Sequence, residues 1–191
     1  NYFIAKGLRH LKPGGLGIFV TSSSTMDNNI STEFRQWATA PAQGNSDFIG
    51  AIRLPNNTFL HNAGTQVTTD ILIYRKRDES GMLPIAQQNA SLETIREATI
   101  KEWDDKKREH VDRTIPIIVN EYYAQRPEMM LGEMKIAEEI GSGGLYSKDN
   151  QTLYAPEEQN TEALLKEAIK KLPENIMQIS LSEEENLSQE N

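Results

Sequence analysis

The sequence predicts an α/β fold with a mixed sheet, and three observations carry that expectation. Leu11-Lys12-Pro13-Gly14-Gly15 stands between an amphipathic run and the apolar residues 16–21, the pattern of a helix that ends at a Pro-Gly turn and feeds a buried strand. Residues 47–54 and 67–74 are two further strand-like apolar runs, the first centred on Ile49-Gly50-Ala51-Ile52 and the second on Ile71-Leu72-Ile73-Tyr74. Only about a dozen residues without helical period connect them, which favours antiparallel pairing.

The elements follow in order. Residues 1–12 read as the end of a helix, with Tyr2, Phe3, Ile4, Leu8 and Leu11 at helical spacing and Lys6, Arg9 and Lys12 between them. Basic residues in its last turn suit the negative end of the helix dipole. The chain opens with no Met and no earlier strand, so a sheet is entered midway and part of its site is expected upstream of residue 1. Strand 16–21 is nearly all apolar, as expected when both faces are covered. Ser22-Ser23-Ser24-Thr25 comes next at its carboxyl end, the edge where open α/β sheets place ligands. Residues 30–38 read as a short helix carrying Phe34 and Trp37. Arg75-Lys76-Arg77 reads as a solvated basic tip bordering the ligand edge.

Composition changes at Asp78. Residues 79–91, with Gly81 and Pro84, read as a linker. Residues 92–110 are charged and read as helical, anchored by Trp103. Pro116 opens the apolar patch Ile117-Ile118-Val119, followed by Tyr122-Tyr123. A small hairpin is expected near 145–154, pairing Leu145-Tyr146-Ser147 with Thr152-Leu153-Tyr154 around Asp149 and Asn150. Residues 161–172 are the clearest helix: Leu164, Leu165, Ala168, Ile169 and Leu172 share a face, and Glu162–Lys166 and Glu167–Lys171 pair across one turn. Residues 182–191 read as a disordered acidic tail. The expected organisation is a partial α/β domain over 1–78, the linker, a mainly helical appendage over 92–181, and the tail.

Bulk properties narrow the function. A net charge of -8 argues against a free-standing nucleic-acid surface, though a missing part could supply a basic groove. The chain has no Cys, which excludes disulfides and thiolate metal sites and favours an intracellular protein. With no apolar run of membrane-spanning length and no signal-peptide pattern, a cytoplasmic chain without a membrane partner is expected.

Several candidate sites reduce to structure. Gly141-Ser142-Gly143-Gly144 lacks both the Gly-Lys-Ser/Thr sequel and the preceding strand of a phosphate loop, and reads as a flexible turn. Met129, Met130 and Met134 suit packing. Asp104, Asp105, Glu109 and Asp112 lack the buried setting of a catalytic pair. His10, His61 and His110 have no ligand spacing, so no catalytic residue and no metal ligand is assigned. Phe59 differs, because it lies after a strand in a polar, turn-rich segment. Two roles are open to it: capping the sheet edge, or offering a flat face to a planar ligand such as an unstacked base.

The succession Tyr2-Phe3-Ile4…Leu11-Lys12-Pro13-Gly14-Gly15…Ile18-Phe19-Val20-Thr21-Ser22, then Ile52-Arg53-Leu54-Pro55…Phe59…Ala63-Gly64-Thr65…Thr69-Asp70-Ile71-Leu72-Ile73, resembles the amino-group DNA methyltransferases that modify adenine at its exocyclic nitrogen. It matches the second half of their catalytic domain and covers about residues 1–78. The resemblance implies a Rossmann-like sheet of seven strands with an antiparallel final hairpin, and S-adenosylmethionine as methyl donor of the parent enzyme. It implies that Phe59 stacks on the target adenine; Ser22, Ser23 and Ser24 then fall where they would line the pocket. Asn120-Glu121-Tyr122-Tyr123…Pro127-Glu128-Met129…Leu131-Gly132 resembles the segment downstream of the methylase in large mobile-element proteins that join it to a helicase.

This sequence departs from the family in lacking both the glycine-rich donor loop and the Asn/Asp-Pro-Pro-Tyr/Phe tetrapeptide. The resemblance therefore implies the C-terminal fragment of a DNA adenine-N6 methyltransferase, of the kind found in restriction-modification. Such a fragment is inactive alone, binds no donor by itself and reaches DNA through the complete enzyme. The alternative is a non-catalytic interaction module that docks with an upstream methylase or helicase half. A small-molecule methyltransferase fragment shares the sheet pattern, because fold does not set substrate.

Overall fold

The computed structural model describes residues 1–79, 81–141, 150–174 and 176. It is mixed α/β, with antiparallel sheets and several helices. Helix α1 (Tyr2–His10) buries Ile4 and Leu8. Gly14, at φ 76°, then turns the chain into β1 (Leu16–Ser22). The turn is fixed by backbone bonds to the end of a later strand: the Gly14 N–H donates to the Lys76 carbonyl (2.9 Å) and the Lys76 N–H to that of Gly15 (2.8 Å). Gly7 costs α1 some intrinsic stability, about 1 kcal/mol relative to Ala. It lets the helix settle on β1, because a Cβ there would lie 2.8 Å from the Phe19 ring.

Helices α2 (Ser24–Asp27) and α3 (Thr32–Thr39) lead to β2 (Ser46–Leu54), which is buried along its whole length. The chain passes through α4 (Leu60–Ala63) and returns as β3 (Thr69–Lys76). The strand order is β1-β3-β2, with β3 antiparallel to both neighbours, so β1 and β2 run parallel with the last strand between them. The expected antiparallel pairing of the second and third strands is thus observed.

The two edges of this sheet differ. The outer edge of β2 is covered: the Gln87 N–H donates to the Phe48 carbonyl (2.7 Å) and the Leu131 N–H to that of Arg53 (3.0 Å). The outer edge of β1 has no strand beside it among the described residues. The expectation that β1 is covered on both faces fails. Ile18 and Val20 are 64% and 61% exposed, because α1 covers only the face that bears Phe19.

Residues 92–110 are not helical. They form β4 (Leu92–Asp104), the tight turn after it and the start of β5 (Glu109–Asn120), paired in one long hairpin. The charge density masks a two-residue period in which Ala98, Ile100, Ile115, Ile117 and Val119 point inward and β-branched residues dominate. Trp103 is half-exposed near the hairpin tip rather than an anchor, with its ring edge-on to His110. The root of the hairpin is the buried part. Asn120 donates through its side chain to the Met26 and Asn89 carbonyls, and α5 (Glu121–Gln125) inserts Tyr122 and Tyr123 into the core.

Strand β6 (Glu133–Ile136) pairs antiparallel with β7 (Gln151–Tyr154). The expected hairpin near 145–154 is corrected in part: Thr152–Tyr154 is in a strand, but that strand's partner is 133–136. The other proposed arm and Asp149 lie outside the described residues. Helix α6 (Thr161–Lys170) has the predicted Glu162–Lys166 pair, whereas Glu167 pairs with Lys170 rather than Lys171. Its apolar face is split: Ala168 is buried and Ile169 half-exposed. The acidic tail at 182–191 lies outside the described residues. One contiguous buried cluster runs from Ile4 to Ala168. No helix of the described residues is long and apolar enough to cross a membrane.

The unequal edges predict amide exchange. In β1 the bonds to β3 recur every second residue, and Gly15 and Ser23 donate or accept on that side, so Phe19 and Thr21 face β3 while Ile18 and Val20 face outward. NMR-detected exchange of the chain should show Phe19 and Thr21 protected and Ile18 and Val20 exchanging far faster. Equal protection would mean that this edge is covered.

Candidate functional site

The carboxyl ends of β1 and β2 and the start of β3 share one sheet edge, and the residues singled out in the sequence stand there. Ser23 caps α2, its carbonyl accepting from the Met26 and Asp27 amides (3.0 and 2.9 Å). The Ser22 and Ser24 hydroxyls bond to one another (2.7 Å) and are exposed. Phe59 sits at the start of α4, half-buried and packed against the core cluster. Its loop closes locally: the Thr58 hydroxyl donates to the Pro55 carbonyl (2.7 Å), and Gly64, at φ 63°, ends α4. The Ser23 N–H donates to the Thr68 carbonyl (3.1 Å), which joins the serine loop to the far end of the Phe59 loop.

Below this edge lies a charged cluster that the sequence reading missed. Arg53 is fully buried, with its Nε and Nη2 donating to the two carboxylate oxygens of Asp70 (2.8 and 2.9 Å). Its Nη1 donates to Asp27 Oδ2 (2.5 Å), and its guanidinium lies 4.3 Å from the Tyr123 ring. The other Asp27 oxygen accepts from the Asn120 N–H (3.0 Å), which ties the hairpin root to α2. One cation thus serves two carboxylates. Burial pushes the Asp27 carboxyl above its ordinary range, with the nearby Asp70 charge adding to the rise and Arg53 only partly opposing it. Burial also opposes the charge on Arg53, but Asp70 and Asp27 outweigh it and hold the guanidinium protonated. Burial likewise drives the Tyr123 phenol well above its usual range, so it stays neutral. The sequence held one signal of this cluster: opposite charges bordering the apolar runs of two strands, at positions that pairing brings face to face.

Other candidates change meaning. Arg75-Lys76-Arg77 is not a solvated tip and lies at the opposite sheet edge from Phe59. Arg75 is buried and paired with Asp78, Arg77 donates to Asp47 Oδ1 (2.6 Å) and the Thr39 carbonyl (2.8 Å), and Lys76 Nζ donates to the Gly44 carbonyl (2.7 Å). Met129 and Met134 are core residues. Asp105, Glu109 and Asp112 are exposed on the hairpin, and Asp104 caps its turn through the Lys106 and Lys107 amides (2.9 and 3.1 Å). His10, His61 and His110 are exposed. Of the Gly-Ser-Gly-Gly run only Gly141 is among the described residues. Among these no group of His, Asp and Glu forms a metal-binding cluster.

Comparison with known proteins gives no match: no family model fits the chain, and no curated protein or solved structure is detectably similar.

The buried cluster makes its own prediction. Arg53→Met would leave two buried carboxylates without their cation, and should cost about 3–5 kcal/mol of unfolding free energy. Urea titration at neutral pH measures it. A loss under about 1 kcal/mol would mean that water reaches both carboxylates.

Proposed function

We propose that residues 1–78 form the C-terminal half of the catalytic domain of a DNA adenine-N6 methyltransferase, with a Rossmann-like sheet continued by strands beyond β1. The observation that supports this reading is the strand arrangement. A final strand runs antiparallel between two mutually parallel ones, and the edge of β1 carries exposed Ile18 and Val20 with no neighbouring strand among the described residues. The resemblance of Lys12-Pro13-Gly14-Gly15 and of the Phe59 hairpin to that family rests on independent residues.

In the parent reaction a methyl group moves directly from S-adenosylmethionine to the adenine amino nitrogen, without a covalent enzyme intermediate. Among the described residues, the glycines at the turns around the sheet do not fit a donor site. The Gly14 and Gly44 amides donate to the Lys76 and Trp37 carbonyls (both 2.9 Å), and the turn amide of Gly15 to Lys12 (2.9 Å), so these glycines have no free amide to offer a ligand. This half supplies the wall beside the base: Phe59 stacks on the flipped adenine, and Ser22, Ser23 and Ser24 line the polar side. DNA and the donor are bound by the complete enzyme, together with its upstream half or a joined helicase.

In the complete enzyme, Phe59→Ala should lower methylation of adenine-containing DNA about 5- to 150-fold, the range expected for one lost base–aromatic stack of about 1–3 kcal/mol. Unchanged rate and unchanged substrate affinity would remove Phe59 from the site.

The exposed edge of β1 also favours a second reading, a non-catalytic module that docks with a methylase or helicase half through strand addition. Calorimetry of this chain with S-adenosylmethionine tests what the two readings share: both expect heats of dilution only, and clear binding would contradict both.

A further inference from the structure

The loop that carries Phe59 leaves β2 at Pro55 and rejoins the sheet at Thr68, and β7 holds both of its ends. The Asn56 N–H donates to the Leu153 carbonyl (2.9 Å), and the Asn57 side-chain amide to that of Ala155 (3.4 Å). On the other side, the Leu153 N–H donates to Thr68 Oγ1 (2.8 Å), which also shares a hydrogen bond with Thr152 Oγ1 (3.0 Å). Between these anchors the neck is closed by the Val67 N–H donating to the Asn56 carbonyl (3.0 Å). Beyond the neck, residues 60–67 are exposed. Thr68 and Leu153 are buried, so the bonds at the neck are shielded from water where those at the tip are not.

Strand β7 is itself fixed from behind. It pairs with β6, whose Met134 carbonyl accepts from Arg96 Nη2 of β4 (2.8 Å) and whose Met134 Sδ lies 3.9 Å from Arg53 Nη1. A chain of contacts therefore runs from the long hairpin through β6 and β7 to the two ends of the Phe59 loop.

We propose that β7 is the positioning element for this loop, with Thr152 and Thr68 as positioning residues that set how the Phe59 ring meets a purine base. This deepens the base-stacking role given to Phe59 and rests on it. The two hydroxyls act differently. Thr68 Oγ1 satisfies a buried backbone donor, so its loss strands the Leu153 N–H. Thr152 only braces Thr68, so its loss loosens the neck while the Leu153 N–H keeps its acceptor.

The test uses Thr152→Val, its conservative partner Thr152→Ser, and Thr68→Val. In the 191-residue chain, fluorine NMR of a fluorinated Phe59 ring should shift or broaden in Thr152→Val and more strongly in Thr68→Val, while Thr152→Ser returns it to the original position. In the complete enzyme, Thr152→Val should lower kcat/KM for adenine-containing DNA about 3- to 10-fold, as expected for one lost hydrogen bond, with KM for the methyl donor unchanged and Thr152→Ser restoring the rate. A Phe59 resonance that ignores Thr152→Val in a folded chain overturns the positioning role, whatever Phe59 does. A resonance that moves while methylation stays constant overturns it too, provided that Phe59→Ala impairs the enzyme. If Phe59→Ala is itself silent, the base-stacking reading falls and takes this inference with it.

Discussion

A single buried guanidinium sets the geometry at the edge that carries the candidate site. Arg53 lies near the end of β2 and meets Asp70 at the start of β3, so its bidentate pair fixes the register where the two strands open into the Phe59 loop. The same group reaches Asp27 of α2, and Asp27 reaches the backbone of Asn120 at the hairpin root. Three distant parts of the chain thus converge on one cation. Burying charges is expensive unless every partner is in place, so such a cluster tolerates one arrangement and penalises others. Asp70 receives two hydrogen bonds from the guanidinium and Asp27 one, so the β2–β3 contact is the fuller of the two.

The same logic organises two of the three other buried arginines. Arg77 clamps Asp47 and the end of α3, and Arg35 donates to the Thr25, Asn28 and Ala90 carbonyls, drawing the segment after β3 against the helices. Residues that look like a linker by composition are consequently packed on the sheet: the Leu83 N–H donates to Asp47, and Gln87 continues the edge of β2. One sheet edge is closed by later segments of the chain, while β1 has no strand beside it among the described residues and exposes Ile18 and Val20. An edge of that kind invites pairing with another strand, and proteins seldom leave one exposed without a partner in view. The proposal of a larger sheet and that of a docking module both draw on this single asymmetry.

The candidate site is therefore assembled from both ends of the chain. Phe59 and Ser22–Ser24 come from the first third, but hydrogen bonds at the ends of the Phe59 loop come from Thr152, Leu153 and Ala155. A substitution in β7 would be felt at the sheet edge without touching it. This explains why the region after residue 92 cannot be treated as an independent appendage when function is tested.

By itself the sequence determined what depends on near neighbours. The α1–turn–β1 succession comes from helical spacing and Pro13-Gly14-Gly15, β2 and β3 from their apolar runs, and α6 from its period. The short connection also indicated the antiparallel β2–β3 pair. The tertiary structure alone decided the rest. Residues 92–104 carry enough charge to look helical, and only pairing with 109–120 makes a strand of them. β7 pairs with β6 across residues 137–150, and the exposure of β1 depends on which elements lie beside it. Arg53, Asp70 and Asp27 look like isolated surface charges until strand register and α2 bring them within hydrogen-bond distance. The physical reason is common to all of these. Helices and turns satisfy their backbone within a few residues, whereas a strand's hydrogen bonds and a buried charge's partners lie far away in sequence, and no local pattern specifies them.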